Sequence, residues 1–350
     1  MQTFLLVVLE KSVLIAFALR EFITIIIMSN LTAEEQHITC TDDLNNMHIT
    51  CTEVEVEIDK CSNCGKEGSD GLKACTACKM VKYCNRDCQI AHRPKHKKAC
   101  RKRAAELHDE ELFKQPPTKE DCPICFLPLP FVVTGKRYMS CCGKTVCGGC
   151  IHAVEIMIKG YPLCPFCRTP VPKSDEEGIE MLQKREEVGD AHAMFNFGCY
   201  YDGGLLGLAR DRAKALKLLH RAGELGSAEA YCNVGSIYNN GDGVERDNKK
   251  ANHYYELAAM GGHLDARNNL GVFEARTGNW DRAIKHYMIA AGDGYNDSVK
   301  SIQHLYMDGH ATKEDYAKAL LAYQKYLDGI KSEQRDEAAA ANDRNKYIMD

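Results

Sequence analysis

Fifteen of the nineteen cysteines in this 350-residue chain crowd into the stretch from Cys61 to Cys167. Most form Cys-x-x-Cys pairs: Cys61/Cys64, Cys75/Cys78, Cys122/Cys125, Cys147/Cys150 and Cys164/Cys167. Cys84, Cys88, Cys100, Cys141 and Cys142 lie between or just after them. A Cys-x-x-Cys turn aims two thiolates at one point, and two such turns complete a tetrahedral zinc shell. A single pair would fit a redox motif as well. Two successive sets of eight ligands predict zinc, about four ions per chain, rather than a disulfide framework. Modules this small bury too little apolar surface to fold unaided, so bound metal supplies much of their stability. Thiolates kept for zinc point to a reducing compartment, cytoplasm or nucleus.

The length allows two or three folding units. The net charge of −4 predicts neither nucleic-acid nor membrane binding for the chain as a whole. Residues 1–28 are strongly apolar, but Glu10, Lys11, Arg20 and Glu21 interrupt them. No uncharged stretch reaches the ~18–20 residues of a spanning helix. Neither a basic start nor a small-residue cleavage site marks a secretory signal. Met28 is therefore read as the true start and residues 1–28 as a gene-model extension, with a signal anchor or an interfacial helix as alternatives. Residues 29–60 are polar and acidic and are expected to be a flexible lead-in. Within them His37–Thr41 recurs as His48–Thr52, read as a short duplication rather than a third metal site.

From Cys61 to Cys100 eight ligands suggest themselves: Cys61, Cys64, Cys75, Cys78, Cys84, Cys88, His96 and Cys100. Cys84/Cys88 and His96/Cys100 are each one helical turn apart, which presents both members of a pair on one face. This stretch closely resembles the MYND zinc finger in its Cys-x-x-Cys pairs, Tyr83-Cys84, Cys88-Gln89 and the His-Lys-x-x-Cys ending. The resemblance implies two interleaved sites, Cys61, Cys64, Cys84 and Cys88 for one zinc and Cys75, Cys78, His96 and Cys100 for the other. His92 competes with His96 but falls where the family carries a non-ligating His. Arg93 replaces the family's common Trp. Such fingers generally dock proteins, often through short proline-containing peptides. The basic run Lys95, Lys97, Lys98, Arg101, Lys102 and Arg103 is read as a solvated helix face, since no aromatic residues interleave it for base stacking.

A linker helix, 101–121, leads through Pro116-Pro117 to a second module over 122–168, from Cys122-Pro123-Ile124-Cys125 to Cys164-Pro165-Phe166-Cys167-Arg168. It resembles a RING finger. Lys144 stands where the common form has a His, and a protonated Lys cannot ligate zinc. All-cysteine variants place a fourth Cys just before Gly-x-x-x-Cys, and Cys142 meets that spacing. The resemblance implies one zinc on Cys122, Cys125, Cys147 and Cys150. It implies another on Cys141, Cys142, Cys164 and Cys167, with His152 in reserve. RING fingers dock a ubiquitin-conjugating enzyme without covalent chemistry; Ile124, Pro165 and Arg168 match the docking positions. The central helix, near Ala153-Val154-Glu155-Ile156, lacks the usual aromatic.

Residues 174–330 repeat. Ala193-x-x-x-Phe197-Gly198-x-x-Tyr201 recurs as Ala230-x-x-x-Val234-Gly235-x-x-Tyr238 and, loosely, as Ala266-x-x-x-Leu270-Gly271. A second helix follows each, anchored at Ala215, Ala251 and Ala283, with Ala319 in a degenerate fourth copy. A period of about 32–36 residues marks stacked helical hairpins. The pattern resembles Sel1-like repeats, relatives of tetratricopeptide repeats, most specifically at Asn240-Gly241-Asp242-Gly243-Val244 with Asp247. Ser174 to Glu177 reads as a capping box opening the region. Tyr254, Tyr255 and Tyr287 are read as packing residues, and Cys199 and Cys232 as buried small apolar ones. Residues 331–350 read as a C-terminal tail.

The expected architecture is multidomain, with two small zinc-stabilised cross-brace modules followed by an all-α solenoid. Two functions stand. One is a RING-type ubiquitin ligase recruiting substrates through the finger and the solenoid. The other is a non-enzymatic zinc-dependent adaptor. Partners are expected to be proteins, including the conjugating enzyme, and no small-molecule substrate is expected. Membrane contact would require residues 1–28. A methyltransferase, suggested by the company MYND fingers keep, is disfavoured because the repeats leave no room for a strand-rich SET fold.

Overall fold

The computed structural model describes residues 38–43, 48–53, 59–68, 71–117, 119–158 and 162–348. The apolar segment 1–28 and the choice between Met1 and Met28 lie outside the described residues. The chain divides into two compact units, 1–105 and 106–350.

In the first unit the duplicated segments pair with each other. β1 (Ile38–Asp43) runs antiparallel to β2 (His48–Glu53), with Cys40 opposite Cys51 and Thr39 opposite Thr52. The expected flexible lead-in thus contains a hairpin, because a β-prone sequence placed beside its own copy finds a matching register. The finger follows, with a two-residue ladder of β3 (Lys73–Ala74) on β4 (Lys82–Tyr83). Helix α1 (Arg86–Leu112) then carries Cys88, His96 and Cys100 and runs unbroken into what the sequence suggested was a separate linker helix.

In the second unit the cysteine-rich module is a hairpin, β5 (Lys136–Met139) on β6 (Lys144–Cys147), running directly into α2 (Gly148–Met157). Beyond it lies α3 (Asp175–Glu187), capped by Ser174, whose hydroxyl accepts from the Glu177 N–H. Only half of the expected capping box forms there, because Glu177 turns back to the Lys173 N–H instead. Four hairpins follow: α4 (Ala191–Gly203) with α5 (Arg212–Glu224), and α6 (Ala228–Asn240) with α7 (Asn248–Met260). Then come α8 (Leu264–Arg276) with α9 (Trp280–Gly292), and α10 (Asn296–Met307) with α11 (Lys313–Ile330).

Small residues set the helix spacing. Ala193, Ala215, Ala230, Ala251, Ala266, Ala283 and Ala319 are all buried. A Cβ built on Gly235 would sit 2.7 Å from the Tyr255 ring, and one on Gly271 2.5 Å from Tyr287. Tyr255 and Tyr287 are therefore core residues filling the space each glycine leaves. Cys232 is buried, and burial pushes its thiol up to about 12. Cys199, read as buried, is only half-buried and accepts a hydrogen bond from Asn233 Nδ2 at 3.4 Å.

Two segments that read as connectors pack against the solenoid and the second module. Leu112, at the end of α1, is buried with Cys232, Tyr255, Ala266 and Leu270. The buried Arg267 donates to the carbonyls of Leu112 and Ala259, and Phe113 lies against the His286 ring with centroids 4.7 Å apart. Farther on, Lys119 donates to the Asp293 carbonyl (2.6 Å) and the Phe131 N–H to the Tyr326 hydroxyl (3.1 Å). The supposed C-terminal tail holds α12 (Glu333–Ala341) and a 3-10 turn, with Arg335, Ala338, Asn345 and Tyr347 buried. α12 packs on α2, where Gly149 admits the Arg335 side chain.

The start of the solenoid is tied to the module through Asp190. One carboxylate oxygen accepts the His192 and Ala193 N–H groups and so caps α4. The other accepts the Tyr138 hydroxyl (2.8 Å) and Arg185 (2.7 Å). Burial alone would raise this carboxyl, but those donors outweigh it and hold it below the usual range.

Candidate metal centres

Four of the five Cys-x-x-Cys pairs close through a backbone bond from the residue after the second cysteine to the carbonyl of the first, while Cys147 and Cys150 lie at the start of α2. Gly65 bonds to Cys61 and Lys79 to Cys75, each at 2.9 Å; Phe126 bonds to Cys122 at 2.9 Å and Arg168 to Cys164 at 3.0 Å. All four donors have positive φ, between 55° and 74°. That left-handed step curls the chain so that both sulfurs face one point. Gly143 repeats it (φ 69°), bonding to the Met139 carbonyl at 2.8 Å and turning Cys142 inward although Met139 stands where a first cysteine would.

Four groups of ligand atoms result, each with all members within 4.8 Å of one another: Cys61, Cys64, Cys84 and Cys88; Cys75, Cys78, His96 and Cys100; Cys122, Cys125, Cys147 and Cys150; Cys141, Cys142, Cys164 and Cys167. Four sulfurs around a zinc at ~2.3 Å stand ~3.8 Å apart. The sulfur separations fit: Cys64 to Cys84 is 3.6 Å, Cys75 to Cys100 3.7 Å, Cys122 to Cys150 3.9 Å and Cys142 to Cys164 3.9 Å. Cys78 Sγ is 3.2 Å from His96 Nε2. The donor sets are those of closed structural zinc sites, with every tetrahedral position filled and none left for substrate. At Cys61 the backbone N–H groups of Cys64, Cys84 and Asn63 favour the thiolate and bring its pKa down to about 6.

The competing histidines stand outside these groups. His92 holds the Tyr83 hydroxyl through Nδ1 (3.0 Å) and stacks on His96. His152 joins none of the four clusters. Of the docking candidates, Ile124 and Arg168 are exposed, whereas Pro165 is buried. Pro165 directly follows the buried Cys164 inside the last turn. Besides Ile124, apolar residues of this module that face outward include Phe126 (76% exposed) and Phe166 on the turns, and Ile156 and Met157 (80%) at the end of α2. Sequence reading passed over the two phenylalanines because nothing in spacing separates an outward ring from a packed one. Among the described residues, no helix is long and apolar enough to cross a membrane.

Residues 61–100 match the MYND finger family, and residues 191–227 and 228–263 each match the Sel1 repeat. The chain carries a MYND finger and Sel1 repeats. Together with the four clusters, the finger marks a protein that binds structural zinc. Among curated proteins it is 32% identical over 78 residues to the E3 ubiquitin-protein ligase DA2 of Arabidopsis thaliana, covering 20% of this chain and 18% of that one. It is 34% identical over 67 residues to the E3 ubiquitin-protein ligase GW2 of Oryza sativa subsp. indica, covering 19% and 15%. The chain thus spans less than a fifth of the length of these relatives. Among solved structures it is similar to a Sel1 repeat protein from Oxalobacter formigenes (26% identity, 48% of this chain and 65% of that one, TM-score 0.38). It is also similar to a protective antigen of uropathogenic Escherichia coli strains displaying an SLR fold (27%, 49% and 37%, TM-score 0.37).

Proposed function

We propose that residues 122–168 form a RING-type finger of the all-cysteine kind and that the protein is an E3 ubiquitin ligase. In this reading zinc is held by the four clusters as grouped above. The MYND finger and the Sel1 repeats recruit the substrate. The observation that carries it is the alternation of ligand pairs in the second module. The first pair joins Cys147 and Cys150, and the second, Cys141 and Cys142, joins Cys164 and Cys167. Such interleaving sets two turns side by side on a metal-braced frame. The local likeness to the two plant ligases supports the same reading.

The chemistry asked of the module is positioning. Zinc, fully ligated, supplies rigidity. Ile124 and the neighbouring Phe126 offer an apolar contact for the conjugating enzyme. Arg168, exposed and in the left-handed conformation, presents its guanidinium at the end of the last turn, available to both ubiquitin and the conjugating enzyme. Restricting the thioester-linked ubiquitin to a reactive orientation is worth a large part of the barrier to its transfer. The protein works in a reducing compartment, cytoplasm or nucleus, where the thiolates stay free for metal.

A second reading, a zinc-dependent adaptor without ligase activity, is favoured by the burial of Pro165 and the lack of an aromatic residue along α2. Autoubiquitination of the zinc-loaded protein with a panel of conjugating enzymes separates the two. Ubiquitin chains that disappear in Ile124→Ala and Arg168→Ala are the expected result. No transfer with any enzyme of the panel rejects the ligase and leaves the adaptor.

A further inference from the structure

Arg335 is 2% exposed, and among the described residues no carboxylate pairs with it. Its Nη1 donates to the Ile330 carbonyl at 2.7 Å. Nη2 faces the Leu127 carbonyl at 3.5 Å and Cys125 Sγ at 3.9 Å, and Nε has no hydrogen-bond partner. The adjacent Asp336 is occupied by the Tyr347 hydroxyl, and the Tyr347 ring lies 6.0 Å from the guanidinium. A buried cation without a counter-ion is costly. The sulfur it faces, Cys125 Sγ, belongs to the Cys122, Cys125, Cys147 and Cys150 cluster. Four thiolates on one Zn2+ leave a net charge of −2, which a buried guanidinium offsets.

The residue before it points the same way. The Gln334 amide oxygen is 3.9 Å from Cys150 Sγ. Exchanging the amide O and N positions turns this contact into an N–H donated to a metal-bound thiolate. The fold makes room for this approach. A Cβ on Gly149 would meet Arg335 Cγ at 3.1 Å, and one on Gly148 would meet Asn345 at 3.2 Å. The glycine pair opening α2 therefore lets α12 reach the cluster.

We infer that Arg335 and Gln334 are positioning residues of this zinc centre, delivered by the C-terminal helix, so that metal retention there and docking of residues 331–347 stabilise each other. The inference rests on the ligand grouping proposed above. Hydrogen bonds from beyond the ligands to a metal's thiolates are commonly worth about tenfold or more in metal affinity.

The test uses full-length zinc-loaded protein challenged with a chelator, with released zinc counted and freed cysteines identified by alkylation and mass spectrometry. Arg335→Met should lose one of the zinc ions about tenfold faster than wild type, with alkylation at Cys122, Cys125, Cys147 and Cys150 and the other ions unaffected. Arg335→Lys should fall between. In the wild type, hydrogen-exchange protection over residues 333–347 should vanish in the same step. Arg335→Met holding that zinc as tightly as wild type would overturn the inference. So would a wild-type helix that stays protected after that zinc has left, a result available even if the variant fails to fold. Alkylation of a different set of cysteines in that step would reject the ligand grouping, and this inference with it.

Discussion

Replacing Gly271 by Ala should weaken the solenoid, against the usual rule that alanine strengthens a helix. Gly271 lies in α8 and faces the Tyr287 ring of α9. An added Cβ would stand 2.5, 2.8 and 2.9 Å from three ring atoms. Tyr287 is 3% exposed, so the ring cannot swing out to relieve the contact. The helical preference for Ala over Gly contributes about 1 kcal/mol. Overpacking a close-packed core costs about 1–3 kcal/mol, and a contact this short belongs at the upper end. The net effect is a loss of about 1–2 kcal/mol, or ~2–8 °C in Tm for a domain of this size. Gly329 in α11 provides the control, since a Cβ there meets nothing within 4 Å. Gly329→Ala should gain about 0.5–1 kcal/mol by restricting the unfolded chain. Thermal and urea unfolding of the zinc-loaded protein, followed by far-ultraviolet circular dichroism, reads both. A Gly271→Ala variant as stable as wild type, or more so, would refute the claim that close helix approach depends on this glycine.

The remaining predictions concern the metal centres and their supports. Cys142→Ser should reduce bound zinc from about four to about three per chain by elemental analysis, while His152→Ala should leave it unchanged; the reverse would move the fourth ligand to His152. Asp190→Ala removes the cap of α4 (about 1 kcal/mol) and the acceptor for Tyr138 and Arg185 (about 1.5–3 kcal/mol). Its urea midpoint should fall accordingly, and an unchanged midpoint would mean the junction carries no load. Leu112→Ala deletes a side chain that is 1% exposed and should cost about 2–5 kcal/mol. Hydrogen exchange should then quicken around Phe113 and in α7, where Tyr255 packs against it; uniform protection would show that the segment does not depend on the contact.

Much of this protein was legible because its chemistry is local. Two cysteines three positions apart can meet only through a short turn, so their spacing announces zinc before any fold is known. The repeats were equally visible, since Ala215, Ala251, Ala283 and Ala319 recur wherever one helix must lie close on another, and all four are buried. Capping was harder to read, because Ser174 caps as its sequence suggests while Glu177 takes a neighbouring N–H that no spacing rule distinguishes.

Tertiary structure decided what depends on distant chain segments. Pro165 occupies a position that reads as surface but is buried, whereas Phe126, which no spacing marks, faces outward. The polar segment 331–350 looked like a tail, since a single helix with a few alanines carries little pattern of its own. Within it Arg335 is buried, and its partners Leu127 and Cys125 lie some two hundred residues away in sequence. Metal ligation is encoded in neighbours along the chain, whereas burial and charge balance are settled by neighbours in space.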